Sequence, residues 1–243
     1  MKLSVVIPAY NEEKRISKTL EEINFYLRNQ DYSYEIVVVN DGSTDKTSEI
    51  VINIARETKN IRFINNKVNR GKGAAVKQGM LESKGEYRLF TDADNSTSID
   101  HIEKVWPFFD KGYDIVIGSR DAKDALGAKQ AIKQPFFRRF LGDFGNIIIQ
   151  IIVVPNIWDT QCGFKCFTAS SANKIFSRLR INRWGFDIEA LFIGRILGYK
   201  KIGIIPVYWI NDPNSKVNLK GYLQVFKEIF QIRWYHLKGF YKK

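Results

Sequence analysis

Tyr87-Arg-Leu-Phe-Thr-Asp-Ala-Asp-Asn-Ser96 decides the fold. Its first five residues read as a short apolar strand, which stops at two aspartates, Asp92 and Asp94, with Ala93 between them. Side chains two positions apart on an extended segment point the same way. Two carboxylates on one side of a strand end repel each other unless a cation sits between them. A divalent ion shared with substrate phosphates is a natural occupant. Asp and Asn also favour plain turns, so the pair takes its meaning from the rest of the chain.

Upstream, Leu3-Ser-Val-Val-Ile-Pro8 and Ile36-Val-Val-Val39 are β-branched runs of buried-strand type, and Ile61 to Asn65 is a shorter one. Between them Ile16, Leu20, Ile23 and Leu27 recur at helical spacing, with Asn11 as a candidate cap. A second helix is expected after Asp41-Gly-Ser-Thr-Asp45, capped by Ser43, Thr44 or Asp45, and a third after Asn69-Arg-Gly-Lys-Gly-Ala-Ala75. Downstream, a helix is expected from Ile99 to Phe109, then a strand at Asp114-Ile-Val-Ile-Gly118. Alternating strands and helices predict an α/β fold with a mostly parallel sheet flanked by helices. In such sheets ligands bind beyond the carboxyl ends of the strands. Tyr10-Asn-Glu12, Asp41-Gly-Ser43, Asp92-Ala-Asp94 and Ser119-Arg120 all fall there.

The pattern changes after Arg120. Residues Asp121 to Gln134 are charged and poor in apolar side chains, as expected of a mobile lid. Pro135 to Val154 reads as a helix, and Trp158-Asp-Thr-Gln-Cys-Gly-Phe-Lys165 as a polar and aromatic turn. Helices are expected at Ser170–Leu179 and Phe186–Leu197, a strand at Ile202–Val207, and a helix from Leu219 onward. Residues 1–210 are read as one catalytic domain and 211–243 as a basic, aromatic C-terminal helix. That helix suits a membrane interface or a packed position on the domain.

The 243 residues carry 38 Lys+Arg against 26 Asp+Glu, a net charge of +12, which suits a polyanionic partner. Clustered carboxylates would repel a nucleic-acid backbone, so no nucleic acid is expected. Two cysteines, Cys162 and Cys166, are too few for a disulfide framework or a zinc site. No run approaches the roughly 18 apolar residues of a spanning helix. The opening Met-Lys-Leu-Ser-Val-Val-Ile lacks a signal-peptide pattern. A cytoplasmic protein, peripheral at the membrane's cytoplasmic face, is the expectation.

Val5-Val-Ile-Pro-Ala-Tyr-Asn-Glu12, Val38-Val-Asn-Asp-Gly-Ser-Thr-Asp45, Asn69-Arg-Gly-Lys-Gly-Ala-Ala75 and Asp92-Ala-Asp94, in this order, resemble the inverting family 2 glycosyltransferases of the GT-A fold. Gly118-Ser-Arg120, Arg138-Arg139, Asp159 to Lys165 and Arg183-Trp-Gly-Phe-Asp-Ile-Glu189 are similar to the polyprenyl- and dolichyl-phosphate sugar synthases, the β-glucosyltransferases above all. Those enzymes carry an N-terminal membrane helix that this sequence does not show.

The resemblance implies a nucleotide-sugar donor, UDP-glucose, and a polyprenyl-phosphate acceptor. It implies that Pro8, Ala9, Tyr10, Asn11 and Glu12 line the nucleoside pocket and that Asp41 accepts from the base imide. Guanine also offers N–H donors, so Asp41 does not fix the base. Gly71 and Lys72 open a helix toward the diphosphate. Asp92, Ala93 and Asp94 line the nucleotide-sugar site, and Asp92 and Asp94 hold Mg²⁺ or Mn²⁺. Where related mannosyl enzymes place a third ligand, glutamine, this chain has Ser96. Arg120, Arg138, Arg139 and Lys165 are candidates for gripping the acceptor phosphate, since arginine binds phosphate bidentately. A phosphate acceptor needs no base; with a hydroxyl acceptor, the alternative, Asp159 would serve as one. A non-catalytic anion-binding module is the third reading.

Overall fold

The β-branched runs become strands in the computed structural model, which describes residues 1–130, 145–210 and 219–242. Strands β1 (Leu3–Ala9), β2 (Tyr34–Asp41), β3 (Ile61–Asn66), β4 (Tyr87–Thr91) and β5 (Ile115–Ser119) alternate with helices α1 (Ile16–Leu27), α2 (Thr47–Glu57), α3 (Lys72–Glu82) and α4 (Trp106–Asp110). There follow β6 (Lys129–Gln130), α5 (residues 145–152), β7 (Phe164–Thr168), α6 (Ala169–Arg178), α7 (Phe186–Ile196), β8 (Ile202–Pro206), β9 (Tyr208–Trp209) and α8 (Leu219–Leu237).

The main sheet has the order β3-β2-β1-β4-β7-β5-β8, and β6 and β9 form a separate parallel pair. Every residue of β1 and β2 is buried. Strands covered on both faces read as continuous apolar runs, which is why these were visible in the sequence. Alternate side chains feed two cores. Val5, Ile7, Val38 and Leu89 pack with Ile16, Leu20 and Ile23 of α1. Val6, Val37, Val39 and Phe90 pack with Val76, Ile175, Leu191 and Ile229 from the helices of the other face.

Strand β7 departs from expectation. The sequence pattern ends a turn at Lys165 and gives residues 166–168 no element, yet Phe164–Thr168 forms the strand between β4 and β5, antiparallel to both. This reversal matters for the site. The first residue of β7, Phe164, pairs with Thr91 at the carboxyl end of β4, and Lys165 pairs with Ile117. The loop ending at Gly163 therefore arrives beside Asp92.

Other local readings change for physical reasons. The expected helix over Ile99–Phe109 is split into a 3-10 turn, Ile99–Lys104, and α4. Pro107 sits in the first turn of α4, where its missing N–H removes no helical bond. Asn11 does not cap α1, which starts at Ile16. It adopts φ +54° and its Oδ1 accepts from the Thr44 N–H at 2.8 Å, tying together the loops after β1 and β2. Within the expected lid, residues 121–130 are anchored. Asp124 accepts from the Ser119 hydroxyl and from the Trp158 and Asp159 N–H groups, each at 2.8 Å, and β6 pairs with β9. Arg138 and Arg139 lie outside the described residues, as do 131–134 of the lid.

One face of α8 packs on the domain. Ile229, Ile232 and Tyr241 beyond it join the core, and Glu228 Oε2 accepts from the Gly185 N–H at 2.6 Å. No described helix is long and apolar enough to cross a membrane.

Candidate active site

Asp92 and Asp94 follow β4 directly. Asn95 turns the chain with φ +51°, and the Ser96 N–H donates to Asp94 Oδ1 at 3.0 Å, fixing that carboxylate. Behind the turn, the Thr19 hydroxyl of α1 donates to the Ala93 carbonyl at 2.8 Å. Burial raises the Asp94 carboxyl above its ordinary value, the like charge of Asp92 adds to this, and Ser96 and Arg15 only partly offset it.

Each carboxylate draws a cation from another element. Lys72 Nζ, at the start of α3, lies 2.5 Å from Asp92 Oδ1. Arg15 Nη1 lies 3.9 Å from Asp94 Oδ2, and the same guanidinium pairs with Glu12. This is the chemistry expected of two crowded carboxylates. Their oxygen-only donor set fits a hard divalent cation such as Mg²⁺ or Mn²⁺. From the other side Gly163 closes on Asp92: a Cβ at that position would lie 2.0 Å from Asp92 Oδ2.

The loops after β1, β2 and β3 meet next to this pair. Pro8 and Ala9 end β1 opposite Val39 and Asn40, and the exposed Tyr10 and partly buried Glu12 follow. Asp41 is buried and accepts from the Arg70 N–H at 2.9 Å and the Gly71 N–H at 2.7 Å. Burial outweighs those bonds and raises its carboxyl. The glycines of Gly71-Lys-Gly73 answer a close approach by protein. A Cβ at Gly71, whose φ is +107°, would lie 2.4 Å from the Asn182 carbonyl oxygen, and one at Gly73 would lie 2.6 Å from that of Ile181. This contact brings the 181–186 segment, with Arg183 and Trp184, to the start of α3.

Two further ion pairs complete the edge. Arg120 grips Asp159 with both arms, Nε to Oδ2 at 2.7 Å and Nη2 to Oδ1 at 2.8 Å, and its own N–H donates to Oδ2 at 2.8 Å. Its guanidinium also lies over the Trp209 ring at 5.0 Å. Burial alone would raise the Asp159 carboxyl, but the charge and hydrogen bonds of Arg120 and the charge of Lys165 hold it below its ordinary value. Lys165 is fully buried in β7, and its ammonium donates to Asp187 Oδ1 at 2.8 Å and to the Cys162 carbonyl. For Asp187, burial outweighs the charges of Lys165 and Lys72 and raises the carboxyl. Lys165, expected among the phosphate-gripping groups, is thus sealed beneath the edge. The Cys162 thiol is buried and pushed up to about 12, which leaves it inert.

The structure brings Tyr10, Glu12, Asp41, Lys72, Asp92, Asp94, Arg120 and Asp159 to one sheet edge. It adds Arg15, Gly163 and Asp187. Nothing local marks Arg15, whose role depends on where α1 begins. Asp187 lies in the quoted Arg183 to Glu189 segment, which was its only signal.

The model of the family described as glycosyl transferase family 2 matches residues 4–176. A dolichyl-phosphate beta-glucosyltransferase of Trichomonas vaginalis is 40% identical over 250 residues, covering 99% of this chain and 75% of that protein. The Homo sapiens dolichyl-phosphate beta-glucosyltransferase is 36% identical over 255 residues, covering 98% and 76%. Among solved structures, glucosyl-3-phosphoglycerate synthase from Mycobacterium tuberculosis, in complex with Mn²⁺, UDP-glucose and phosphoglyceric acid, superposes with a TM-score of 0.70 at 18% identity. That match covers 95% of this chain and 79% of the other. With the family match running from β1 through β7 and into α6, this chain belongs to glycosyl transferase family 2 and is a glycosyltransferase.

Proposed function

We propose that the enzyme moves glucose from UDP-glucose to a polyprenyl or dolichyl phosphate with inversion at the anomeric carbon, working as a peripheral protein at the cytoplasmic face of a membrane. The observation that carries this reading is the near-full-length likeness to dolichyl-phosphate beta-glucosyltransferases at 36–40% identity. The gathering of Lys72, Asp92, Asp94 and Arg120 at one edge supplies the matching chemistry.

Tyr10 offers a stacking face for the base, and Glu12 and Asp41 offer acceptors for ribose and imide. Asp92 and Asp94 would hold Mg²⁺ or Mn²⁺, which when bound supplies countercharge to the departing diphosphate. Lys72 lies at the same place and can exchange Asp92 for a diphosphate oxygen. The acceptor phosphate has its second pKa near about 6 and is a dianion at neutral pH. Its oxygen attacks the anomeric carbon as the bond to the diphosphate breaks, and no proton has to be removed. Arg120 presents a guanidinium fork to that phosphate, with Asp159 holding the fork in place. Arg138 and Arg139 remain candidates for the same phosphate. A hydroxyl acceptor would need Asp159 as base, and its tight pairing with Arg120 and lowered pKa make it a weak one.

Incubation with UDP-[¹⁴C]glucose, Mn²⁺ and polyprenyl phosphate should give labelled lipid. No labelled lipid from any of several nucleotide sugars would refute the acceptor assignment. The rate should climb as pH rises through about 6, following the acceptor's second ionisation, and stay level above it. A profile set by a group of the enzyme instead would favour the hydroxyl acceptor.

Gly163→Ala should lower the transfer rate about 10²-fold, the scale of a 1 Å misplacement of a reacting group. Its methyl would occupy the place of the Asp92 carboxylate. Asp92 can rotate toward the open edge, so the unfolding midpoint should move little. A large fall in Tm with activity retained per folded molecule would contradict this role for Gly163.

A further inference from the structure

Helix α8 is apolar on two opposite faces. One carries Ile229 and Ile232 into the core. On the other, Leu223, Phe226, Phe230, Trp234 and Leu237 recur at intervals of three and four residues, the spacing of one helical face. All five are exposed: Leu223 by 65%, Trp234 by 51% and Leu237 by 78%. Phe240, in the turn that follows, continues the row. The rings lean on one another, Phe226 with Phe230 at 5.2 Å and Trp234 with Phe240 at 5.9 Å; at the end of the row Phe240 also meets Tyr235 at 5.5 Å and the Arg180 guanidinium at 4.5 Å. Exposed Lys227, Lys238 and Lys242 lie beside them. Scattered apolar side chains on a surface are ordinary, but a continuous row marks an interaction site.

We infer that this face lays α8 flat on an anionic lipid surface. The aromatic and aliphatic row enters the boundary between headgroups and acyl chains, and the lysines meet the lipid phosphates. Charge complementarity selects this occupant. The chain carries +12, and a second copy would set the same lysines against these lysines. The position also serves the reaction. Glu228, on the packed side of the same helix, holds the Gly185 N–H, next to Arg183 and Trp184 at the start of α3. A lipid surface against α8 therefore lies alongside the catalytic edge. The purpose of this contact rests on the lipid-phosphate acceptor proposed above, but its test does not.

The full chain should co-sediment with phosphatidylcholine vesicles that contain phosphatidylglycerol, and less with vesicles that lack it. The double variant Phe230→Ser/Trp234→Ser should reduce the bound fraction at least about tenfold, because two large side chains no longer leave water. Both positions face away from the core, so its Tm should match the parent's. Transfer to a short, water-soluble polyprenyl phosphate should be unchanged, while transfer to vesicle-embedded acceptor should fall with binding. Equal vesicle binding by variant and parent would overturn the inference. So would a parent that ignores vesicles but forms a dimer in light scattering that the variant loses. If the parent binds vesicles yet glucosylates neither acceptor, the docking face stands and the acceptor assignment fails. If the short acceptor is glucosylated and the variant binds vesicles normally, the reverse holds.

Discussion

Asp94→Asn should lower glucosyl transfer by about 10²–10³-fold, the cost of removing one group that stabilises charge in the transition state. The substitution keeps the shape of the side chain and an acceptor for the Ser96 N–H. What it removes is the negative charge. Burial and Asp92 already work against that charge, raising the carboxyl above its ordinary value. A protein that keeps a costly carboxylate at this position needs it for a cation. Two measurements separate this from a general loss of folding. Mn²⁺ added with UDP should raise the Tm of the parent by mass action, and Asp94→Asn should lose most of that rise. Without additives the variant should be at least as stable as the parent, because a disfavoured charge is gone. A variant that keeps both its rate and its Mn²⁺-dependent Tm shift would remove Asp94 from the metal assignment.

Lys165→Met should cost about 3–5 kcal/mol of stability, the scale for breaking a buried ion pair from one side. Against a total stability of about 5–15 kcal/mol for an ordinary domain, this is the largest structural effect expected of a single residue here. The ammonium is fully buried, and Asp187 has no water to fall back on once it is removed. The loss should depend on pH in a known direction. Burial already raises the Asp187 carboxyl in the folded state, and without Lys165 it rises further. A carboxyl whose folded pKa lies above its unfolded value stabilises the fold below the unfolded value and loses that contribution as pH rises through the folded one. The variant should therefore fall further behind the parent at pH 8 than at pH 5, by urea denaturation at both. Lys165→Met/Asp187→Leu should recover much of the loss. A deficit independent of pH, with no recovery in the double variant, would mean that packing, not the charge pair, sets the effect.

The same pair shows why part of the site was hidden in the sequence. Strands β1, β2 and β5 were legible because apolar runs of β-branched residues admit few other readings, and β4, with Leu89, Phe90 and Thr91, was legible because it stops at Asp92 and Asp94. Strand β7 was not. Phe164-Lys-Cys-Phe-Thr168 carries a lysine into the middle of a sheet, against hydropathy, and is tolerable only because Asp187 arrives from a helix 22 residues later. Gly71 and Gly73 were visible as glycines, but their neighbour, the 181–186 segment, lies more than a hundred residues away. Arg15 gave no signal at all. For α8, local pattern offered a packed helix or an interfacial one. The structure packs one apolar face and leaves the other exposed.

The reversed strand β7 also has a bearing on synthesis. Strands β3, β2, β1 and β4 can pair in that order as soon as β4 is made, but β4 then has an open side until Phe164–Thr168 follows. During that interval an apolar edge with unpaired N–H and C=O groups is available to any other extended chain. Closure of the sheet waits on a contact distant in sequence, which slows folding. A nascent chain halted before β7 should therefore aggregate, and one carried on through β8, which pairs the outer side of β5, should aggregate less.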